Sequence, residues 1–168
     1  MRGEVRAWVE GVVAEYRPRG PVLEVGALNI NGTVRDLFPQ EGYIGLDIRD
    51  GPGVDIVGDI CDRSYIEADY IEEKAALLER FNTVLCCETL EHIPRPWQAI
   101  AAMRRALKPG GLFIGTWCFV YAIHNEPEDY WRATPAGFRL LLEDAGFSDV
   151  RIDTEGEGPM GVFAVARV

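Results

Sequence analysis

Short apolar runs alternate with longer amphipathic stretches along the chain, and the two patterns predict strands and helices respectively. In residues 4–16, apolar side chains recur at i, i+3, i+4, i+7, i+8 and i+11, which predicts a helix packed on a sheet. A second interpretation is that this helix also covers a site. Compact runs rich in β-branched residues predict buried strands. These strands are expected at residues 22–25, 43–47, 54–60, 81–87 and 112–117.

Helical spacing and cap residues place four further helices between or after these strands. One is predicted to begin near Asn31 or Thr33, because Val34, Leu37 and Phe38 share one helical face. The others are expected at residues 65–80, from Pro96 to the stop at 108–111, and from Thr134 to Gly146.

Alternating strands and helices predict an α/β fold, a three-layer sandwich whose centre is a doubly wound, mostly parallel sheet. Two last strands, at residues 148–153 and 161–167, bring the sheet to seven strands. The short Gly-rich segment 155–158 between them is too short for a helical crossover, so the last strand is predicted to be antiparallel.

Composition narrows the classes of function. The length of 168 residues is typical of one domain, and the net charge of −10 argues against a nucleic-acid partner. The chain has no apolar run long enough to span a membrane, and charged residues near its start argue against a signal peptide. We therefore expect a cytoplasmic single domain, monomeric or homodimeric, with no membrane partner.

The spacing of the four cysteines matches neither a zinc site nor a redox pair. Cys86 and Cys87 are adjacent on a predicted strand, so their side chains should point to opposite faces of the sheet. We interpret Cys61, Cys86, Cys87 and Cys118 as small buried apolar residues, with a reactive thiol as the alternative. No metal site is predicted.

Residues 21–32 predict a strand, a turn at Gly26 and the start of a helix, which is the opening unit of a doubly wound fold. Two of the three glycines of the dinucleotide fingerprint are missing. Glu24, just before the turn, would repel a pyrophosphate but suits an amine-bearing ligand.

Two further acids follow predicted strands. Asp47 lies 21 residues after Gly26, the offset at which a carboxylate can accept hydrogen bonds from ribose hydroxyls. Asp59 ends the third strand and could accept a hydrogen bond from an adenine amino group. The alternative for both is a structural one, a turn for Asp47 and a helix cap for Asp59.

Residues 118–133 form a long loop with many aromatic and polar residues, and such loops are often functional. His124 lies in this loop and is a candidate general base or substrate contact. His92 is a second catalytic candidate, although its surroundings also suit a turn that packs against a helix start. Asp129 and Arg132 could instead form an ion pair that holds the loop, and Trp131 could pack in the core.

Taken in order, five stretches resemble the S-adenosylmethionine-dependent methyltransferases with the Rossmann-like fold. They are VLEVGALNING, YIGLDI, FNTVLCCETLEHIPRPW, LKPGGLFIGTW and LLLEDAGF. The resemblance covers nearly the whole chain and implies a mostly parallel sheet with one antiparallel strand. It also implies S-adenosylmethionine as methyl donor and S-adenosylhomocysteine as product.

The resemblance also assigns roles to residues. Glu24 would lie on the side of the methionine ammonium, and Asp47 would hold the ribose. Leu28 and Ile30 stand where many relatives have glycine, so positive φ angles must move to Asn29, Asn31 or Gly32. The full predicted donor site is Glu24, Gly26, Ala27, Asn29, Asp47, Ile48, Asp59, Ile60, Cys87 and Glu88. The predicted acceptor site is Trp117, Tyr121, His124, Tyr130 and Arg132.

The acceptor itself is expected to be a small molecule. One alternative is a non-catalytic relative that uses the fold as a binding or scaffold subunit, which Leu28 and Ile30 would suit. An NAD-dependent dehydrogenase is a further alternative, disfavoured by Glu24 and by the incomplete glycine pattern.

Overall fold

A computed structural model describes residues 2–62, 77–124, 127–154 and 160–168. Seven strands form one sheet in the order β3-β2-β1-β4-β5-β7-β6. The strands are β1 (Val22–Val25), β2 (Tyr43–Asp47), β3 (Ile56–Val57), β4 (Phe81–Cys87), β5 (Leu107–Cys118), β6 (Ser148–Thr154) and β7 (Gly161–Arg167). The described helices are α1 (Gly3–Tyr16), α2 (Pro96–Ala106) and α3 (Pro135–Asp144).

The strand order reverses between β1 and β4, and this point organises the molecule. β1 pairs in parallel with both β2 and β4, and β4 pairs in parallel with β5. β7 runs antiparallel to both of its neighbours, β5 and β6. The predicted doubly wound sheet with an antiparallel last strand is therefore confirmed. In such sheets, ligands bind beyond the carboxyl ends of the strands at the reversal point.

Each face of the sheet carries its own hydrophobic core. On one face, Val5, Val9 and Val12 of α1 pack on the sheet, as predicted. The opposite face is covered by α2 and α3. Cys86 and Cys87 belong to opposite cores, as the two-residue period of a strand requires.

The prediction of a helix that begins near Asn31 or Thr33 is wrong, because the structure has only one 3-10 turn there, Arg35–Leu37. Side chains satisfy the backbone in place of a helical ladder. The Asn29 side chain accepts a hydrogen bond from the Gly32 amide, and the Thr33 hydroxyl accepts one from the Arg35 amide. Pro39 follows directly, and the residue before a proline disfavours helix.

Other boundaries differ less. β3 is confirmed at the edge of the sheet but is only two residues long. β5 begins at Leu107, before the predicted 112–117, and its pairing with β4 is interrupted over residues 108–111. The helix predicted at 65–80 falls largely outside the described residues, of which 77–80 form a turn. No described helix has the length and apolar character of a membrane span.

Candidate active site

Two adjoining clefts open at the carboxyl ends of the central strands. The first has a volume of about 690 Å³ and the second about 840 Å³. Both volumes include space that is open to solvent. They share five lining residues, Gly26, Leu28, Ile30, Glu88 and His92.

Gly26 leaves β1 with a φ of +80°, and its amide donates a hydrogen bond to the Leu46 carbonyl at 2.9 Å. A Cβ at this position would overlap the Thr89 side chain. Only glycine therefore allows the turn to approach Thr89 so closely. Gly32 has the second positive φ of this loop, +125°, in agreement with the prediction that Leu28 and Ile30 avoid this conformation.

Glu24 is 5% exposed and lines the second cleft. Its Oε2 accepts a hydrogen bond of 2.8 Å from the Tyr43 hydroxyl. Burial raises the pKa of Glu24 to about 7, against the opposing effects of this hydrogen bond and of the Arg35 charge. The carboxylate is therefore poised to gain from a cationic ligand group.

Asp47 lines the first cleft, and two backbone amides hold its carboxylate. Oδ2 accepts from the Leu28 amide at 3.1 Å, and Oδ1 accepts from the Arg49 amide at 3.0 Å. Asp59 lines the same cleft and accepts from the Cys61 amide at 2.8 Å. Asp47 thus has the turn role foreseen as its alternative, while the helix for which Asp59 was the alternative cap lies outside the described residues. Because each carboxylate has about four acceptor positions, both can still bind a ligand.

Glu88 ends β4 with a φ of +49°, a left-handed conformation that is rare for a residue with a side chain. Its amide donates to the Thr116 hydroxyl at 3.0 Å. Its carboxylate forms two hydrogen bonds with the Arg2 guanidinium, at 2.9 and 3.3 Å. Arg2, just before α1, therefore contributes to the second cleft, which the sequence did not indicate.

A family model described as "Methyltransferase domain" matches residues 25–113, which is just over half of the chain. The chain belongs to this family, the S-adenosylmethionine-dependent methyltransferases. The matched region runs from the last residue of β1 into β5 and contains every lining residue of the first cleft except Pro127.

Curated relatives agree with this assignment. The "Ubiquinone biosynthesis O-methyltransferase" of Saccharophagus degradans is 33% identical over 67% of this chain and 49% of its own. That of Hahella chejuensis is 36% identical over 59% of this chain and 44% of its own. The chain thus spans about half the length of these relatives.

Solved structures share the fold at low sequence identity. The 1,6-didemethyltoxoflavin-N1-methyltransferase of Burkholderia thailandensis has a TM-score of 0.69 at 18% identity, over 97% of this chain and 77% of that one. A possible histamine N-methyltransferase from Thermotoga maritima has a TM-score of 0.61 at 17% identity, over 97% and 91%.

Most predicted donor residues line one of the two clefts. Asn29 is the exception, because its side chain turns to the Gly32 amide, and its role is local. The residues that line a cleft are Glu24, Gly26, Ala27, Asp47, Ile48, Asp59, Ile60, Cys87 and Glu88.

The predicted acceptor residues divide into two groups. Tyr121 and His124 line the second cleft. Trp117 does not, since it is 2% exposed and packs edge-on against Phe138 in the core under α3. Neither cleft is lined by Tyr130, which is half exposed.

Arg132 also lies outside the cleft linings, because it is bound to the loop itself. Its guanidinium pairs with the Asp129 carboxylate and reaches the carbonyl oxygens of Tyr121 and Ala122 at 3.4 and 3.3 Å. The ion pair lowers the pKa of Asp129 and raises that of Arg132. The structure therefore confirms the predicted alternative, an ion pair that holds the loop.

Trp131 was predicted as a possible core residue, but it contacts Trp97 edge-on and is not in the core.

His92 and His124 meet at the second cleft, with ring centroids 4.9 Å apart. Glu91, which the sequence analysis did not single out, lies beside them at 1% exposure. Burial, followed by the Glu88 charge, raises the pKa of Glu91 to about 8. A sequence signal was available, because Glu91 directly precedes His92 in the turn after β4.

Proposed function

We propose that the chain binds S-adenosylmethionine across the first cleft and the adjoining part of the second, and that it methylates a small molecule. The single observation that supports this best is the placement of three acids in two adjoining clefts, Asp47 and Asp59 in the first and Glu24 in the second. Such a lining suits an ammonium group and hydroxyl or amino donors. It does not suit a pyrophosphate, which disfavours NAD.

Each end of the donor would meet a different part of this lining. Glu24 faces the methionine ammonium, and Asp47 accepts from the ribose hydroxyls. Asp59 and the backbone at Ile60 serve the adenine, while Ile48 offers it an apolar wall. Gly26 lets the main chain pass close to the ligand, because it has no side chain.

When bound, S-adenosylmethionine supplies an electrophilic methyl group on a positively charged sulfur. The protein then acts mainly by alignment and by exclusion of water. Tyr121 and His124 form the wall of the second cleft where an acceptor would lie. The Asp129–Arg132 ion pair holds their loop in place. His124 lines the same cleft, so an acceptor bound there would contact its imidazole.

A small-molecule acceptor is supported by the acidic net charge of −10, which disfavours a nucleic-acid acceptor. The matched curated relatives are named O-methyltransferases, which supports an oxygen atom as the acceptor. Free thiols at all four cysteines are consistent with a reducing compartment such as the cytoplasm.

Thermal unfolding with S-adenosylhomocysteine, S-adenosylmethionine and NAD tests the donor assignment. We expect the two sulfur nucleotides, at a hundred times their dissociation constants, to stabilise the fold by about 2.7 kcal/mol and to raise its Tm by roughly 5 °C. NAD at the same concentration should leave Tm unchanged. A shift with NAD alone, or with none of the three, would contradict the proposal. If none of the three ligands changed Tm, the non-catalytic alternative would be favoured.

Replacing Asp47 by alanine should weaken S-adenosylhomocysteine binding by about 10- to 100-fold, because charged hydrogen bonds to the ribose are lost. Isothermal titration calorimetry measures this affinity. Asp50→Ala, an exposed acid three positions along, is the matched control and should bind normally. Since Asp47 also holds the Leu28 and Arg49 amides, urea unfolding should accompany the titration. An unchanged affinity in a folded Asp47→Ala protein would refute the ribose role.

A further inference from the structure

Glu91, His92 and His124 form a compact group at the acceptor end of the second cleft, here called the Glu91 cluster. One ligand-type atom from each residue lies within 4.8 Å of the others. His92 Nε2 is 3.9 Å from Glu91 Oε1, and the two imidazole rings stand nearly perpendicular. The described part of the chain has no other group of three such side chains at this spacing.

Glu91 is the least expected member, because it is almost fully buried and lacks hydrogen-bond partners. Neither of its carboxylate oxygens has one among the described residues. The turn that carries it is fixed, since its carbonyl accepts from the Tyr130 amide at 2.8 Å. An acid buried without partners is costly unless a cation or proton neutralises it. A cation bound here would therefore stabilise the ionised form of this carboxyl.

Both histidines are oriented so that Nε2 keeps a lone pair. His92 Nδ1 lies 2.5 Å from the Glu128 carbonyl oxygen, which can only accept, so Nδ1 carries the proton. His124 Nδ1 lies 3.2 Å from the Ala122 carbonyl oxygen and from Asp129 Oδ2. The same argument places its proton on Nδ1. Metal-binding histidines typically have such an acceptor behind the second ring nitrogen.

We propose that the Glu91 cluster binds a divalent transition-metal ion through Glu91 and the Nε2 atoms of His92 and His124. Two imidazoles and one carboxylate suit Mn²⁺, Fe²⁺, Co²⁺ or Zn²⁺, whereas Mg²⁺ and Ca²⁺ prefer oxygen ligands. Three protein ligands leave coordination positions open for a further molecule.

The spacing allows the site to close around an ion. Bonds of about 2.1 Å in tetrahedral geometry separate the ligand atoms by about 3.4 Å. The 3.9 Å between Glu91 Oε1 and His92 Nε2 must therefore shorten by about 0.5 Å, and the other separations, which are at most 4.8 Å, by at most about 1.4 Å. His124 can supply much of this shortening, because it lies in the loop after β5 and its side chain is one-third exposed.

The position of the cluster gives the ion a role that rests on the proposed function. His92 and His124 line the second cleft together with Glu88, so the ion would lie where an acceptor enters. It would bind the hydroxyl oxygen of the acceptor and ease loss of the proton to solvent. The oxygen then forms the bond to the methyl carbon as the carbon–sulfur bond breaks, with its electron pair left on sulfur. In this arrangement the histidines are ligands and not general bases.

Isothermal titration calorimetry of the chelator-stripped protein with Zn²⁺, Mn²⁺ and Mg²⁺ tests the site, and Co²⁺ adds a visible absorption spectrum. We expect one site for Zn²⁺ and Mn²⁺, and binding of Mg²⁺ at least about 10-fold weaker. His124→Ala should weaken Zn²⁺ binding by at least about 10- to 100-fold and reduce the Co²⁺ absorption. Glu91→Gln should do the same.

Glu128→Gln is the matched control, because it removes an exposed acid from the same loop and keeps the carbonyl that holds His92. It should bind metal normally. Absence of Zn²⁺ and Mn²⁺ binding in the wild type, or an unchanged affinity in His124→Ala, would overturn the proposal. His124→Ala keeps the test valid should Glu91→Gln fail to fold.

Titration of S-adenosylhomocysteine into the same proteins separates this proposal from the proposed function. We expect donor affinity to be unchanged in His124→Ala while Zn²⁺ affinity falls. A wild type that binds Zn²⁺ at the cluster but no sulfur nucleotide would support the metal site and contradict the methyltransferase activity.

Discussion

Glu24→Gln is expected to weaken donor binding strongly while making the unliganded protein more stable above pH 7. The Glu24 carboxyl has a folded-state pKa of about 7 against an ordinary value of 4.5. Between these values the folded state holds a proton that the unfolded state has released, so the stability from this group falls as pH rises through 7. At pH 8 the buried charge costs about 3 kcal/mol, which glutamine removes.

Urea unfolding between pH 4.5 and pH 8 measures this effect. The difference in unfolding free energy between Glu24→Gln and the wild type should be near zero at the lower pH and approach about 3 kcal/mol at the upper. Glu41→Gln, which removes an exposed acid, should give a small and pH-independent difference. A flat profile for Glu24→Gln would contradict the raised pKa of Glu24.

Donor affinity should change in the opposite direction. At pH 8, Glu24→Gln should bind S-adenosylhomocysteine about 10- to 100-fold more weakly, because the ammonium loses its charged partner. Wild-type affinity should rise as pH increases through 7, since only the ionised carboxylate attracts the ammonium. Equal affinities for the two proteins at pH 8 would remove Glu24 from the donor site. Together the two results would show that stability is given up here for binding.

Gly26→Ala should destabilise the fold by about 2–4 kcal/mol and obstruct the first cleft. An alanine must adopt the φ of +80°, and its Cβ must also displace the Thr89 side chain. Backbone strain contributes about 1–3 kcal/mol and overpacking a similar amount. Urea unfolding gives the free energy, and titration with S-adenosylhomocysteine gives the loss of affinity.

The double variant Gly26→Ala/Thr89→Ala separates these two causes. Removal of the Thr89 hydroxyl and methyl should recover the overpacking part and leave the strain, so the two substitutions should not be additive. Gly11→Ala is the control, because a Cβ there meets no other atom within 4 Å and the helix should gain up to about 1 kcal/mol. Strictly additive costs in the double variant would show that Thr89 does not set the approach of the turn.

Sequence alone predicted the strands well because each buried strand is a compact apolar run. β1, β2 and β4 have the predicted bounds, and the reversal between β1 and β4 follows from the alternation of strands and helices. The prediction of a helix after Gly26 failed because residues distant in the sequence determine the path of this segment. Arg6 binds the Thr33 carbonyl at 2.7 Å and also pairs with Asp36, which fixes the segment in a non-helical path.

The sequence predicted those site residues whose position follows from the order of the strands. Asp47 and Asp59 follow strands, so the doubly wound order brings them to one edge. Arg2 could not be found this way, because it lies 86 residues from its partner Glu88 and belongs to no motif. Trp117 was misplaced because it is near the end of β5, and only the three-dimensional structure shows that its side chain packs into the core with Phe138.

Labelling of the two adjacent cysteines on β4 can measure local opening of the fold. Burial raises the pKa of both the Cys86 and the Cys87 thiols, so neither is an effective nucleophile toward a labelling reagent in the closed fold. Each thiol lies in a different core, on either side of one strand. In a protein whose Cys61 and Cys118 are also replaced by alanine, the labelling rates of the Cys86→Ala and Cys87→Ala variants would therefore show whether the two cores open together or separately.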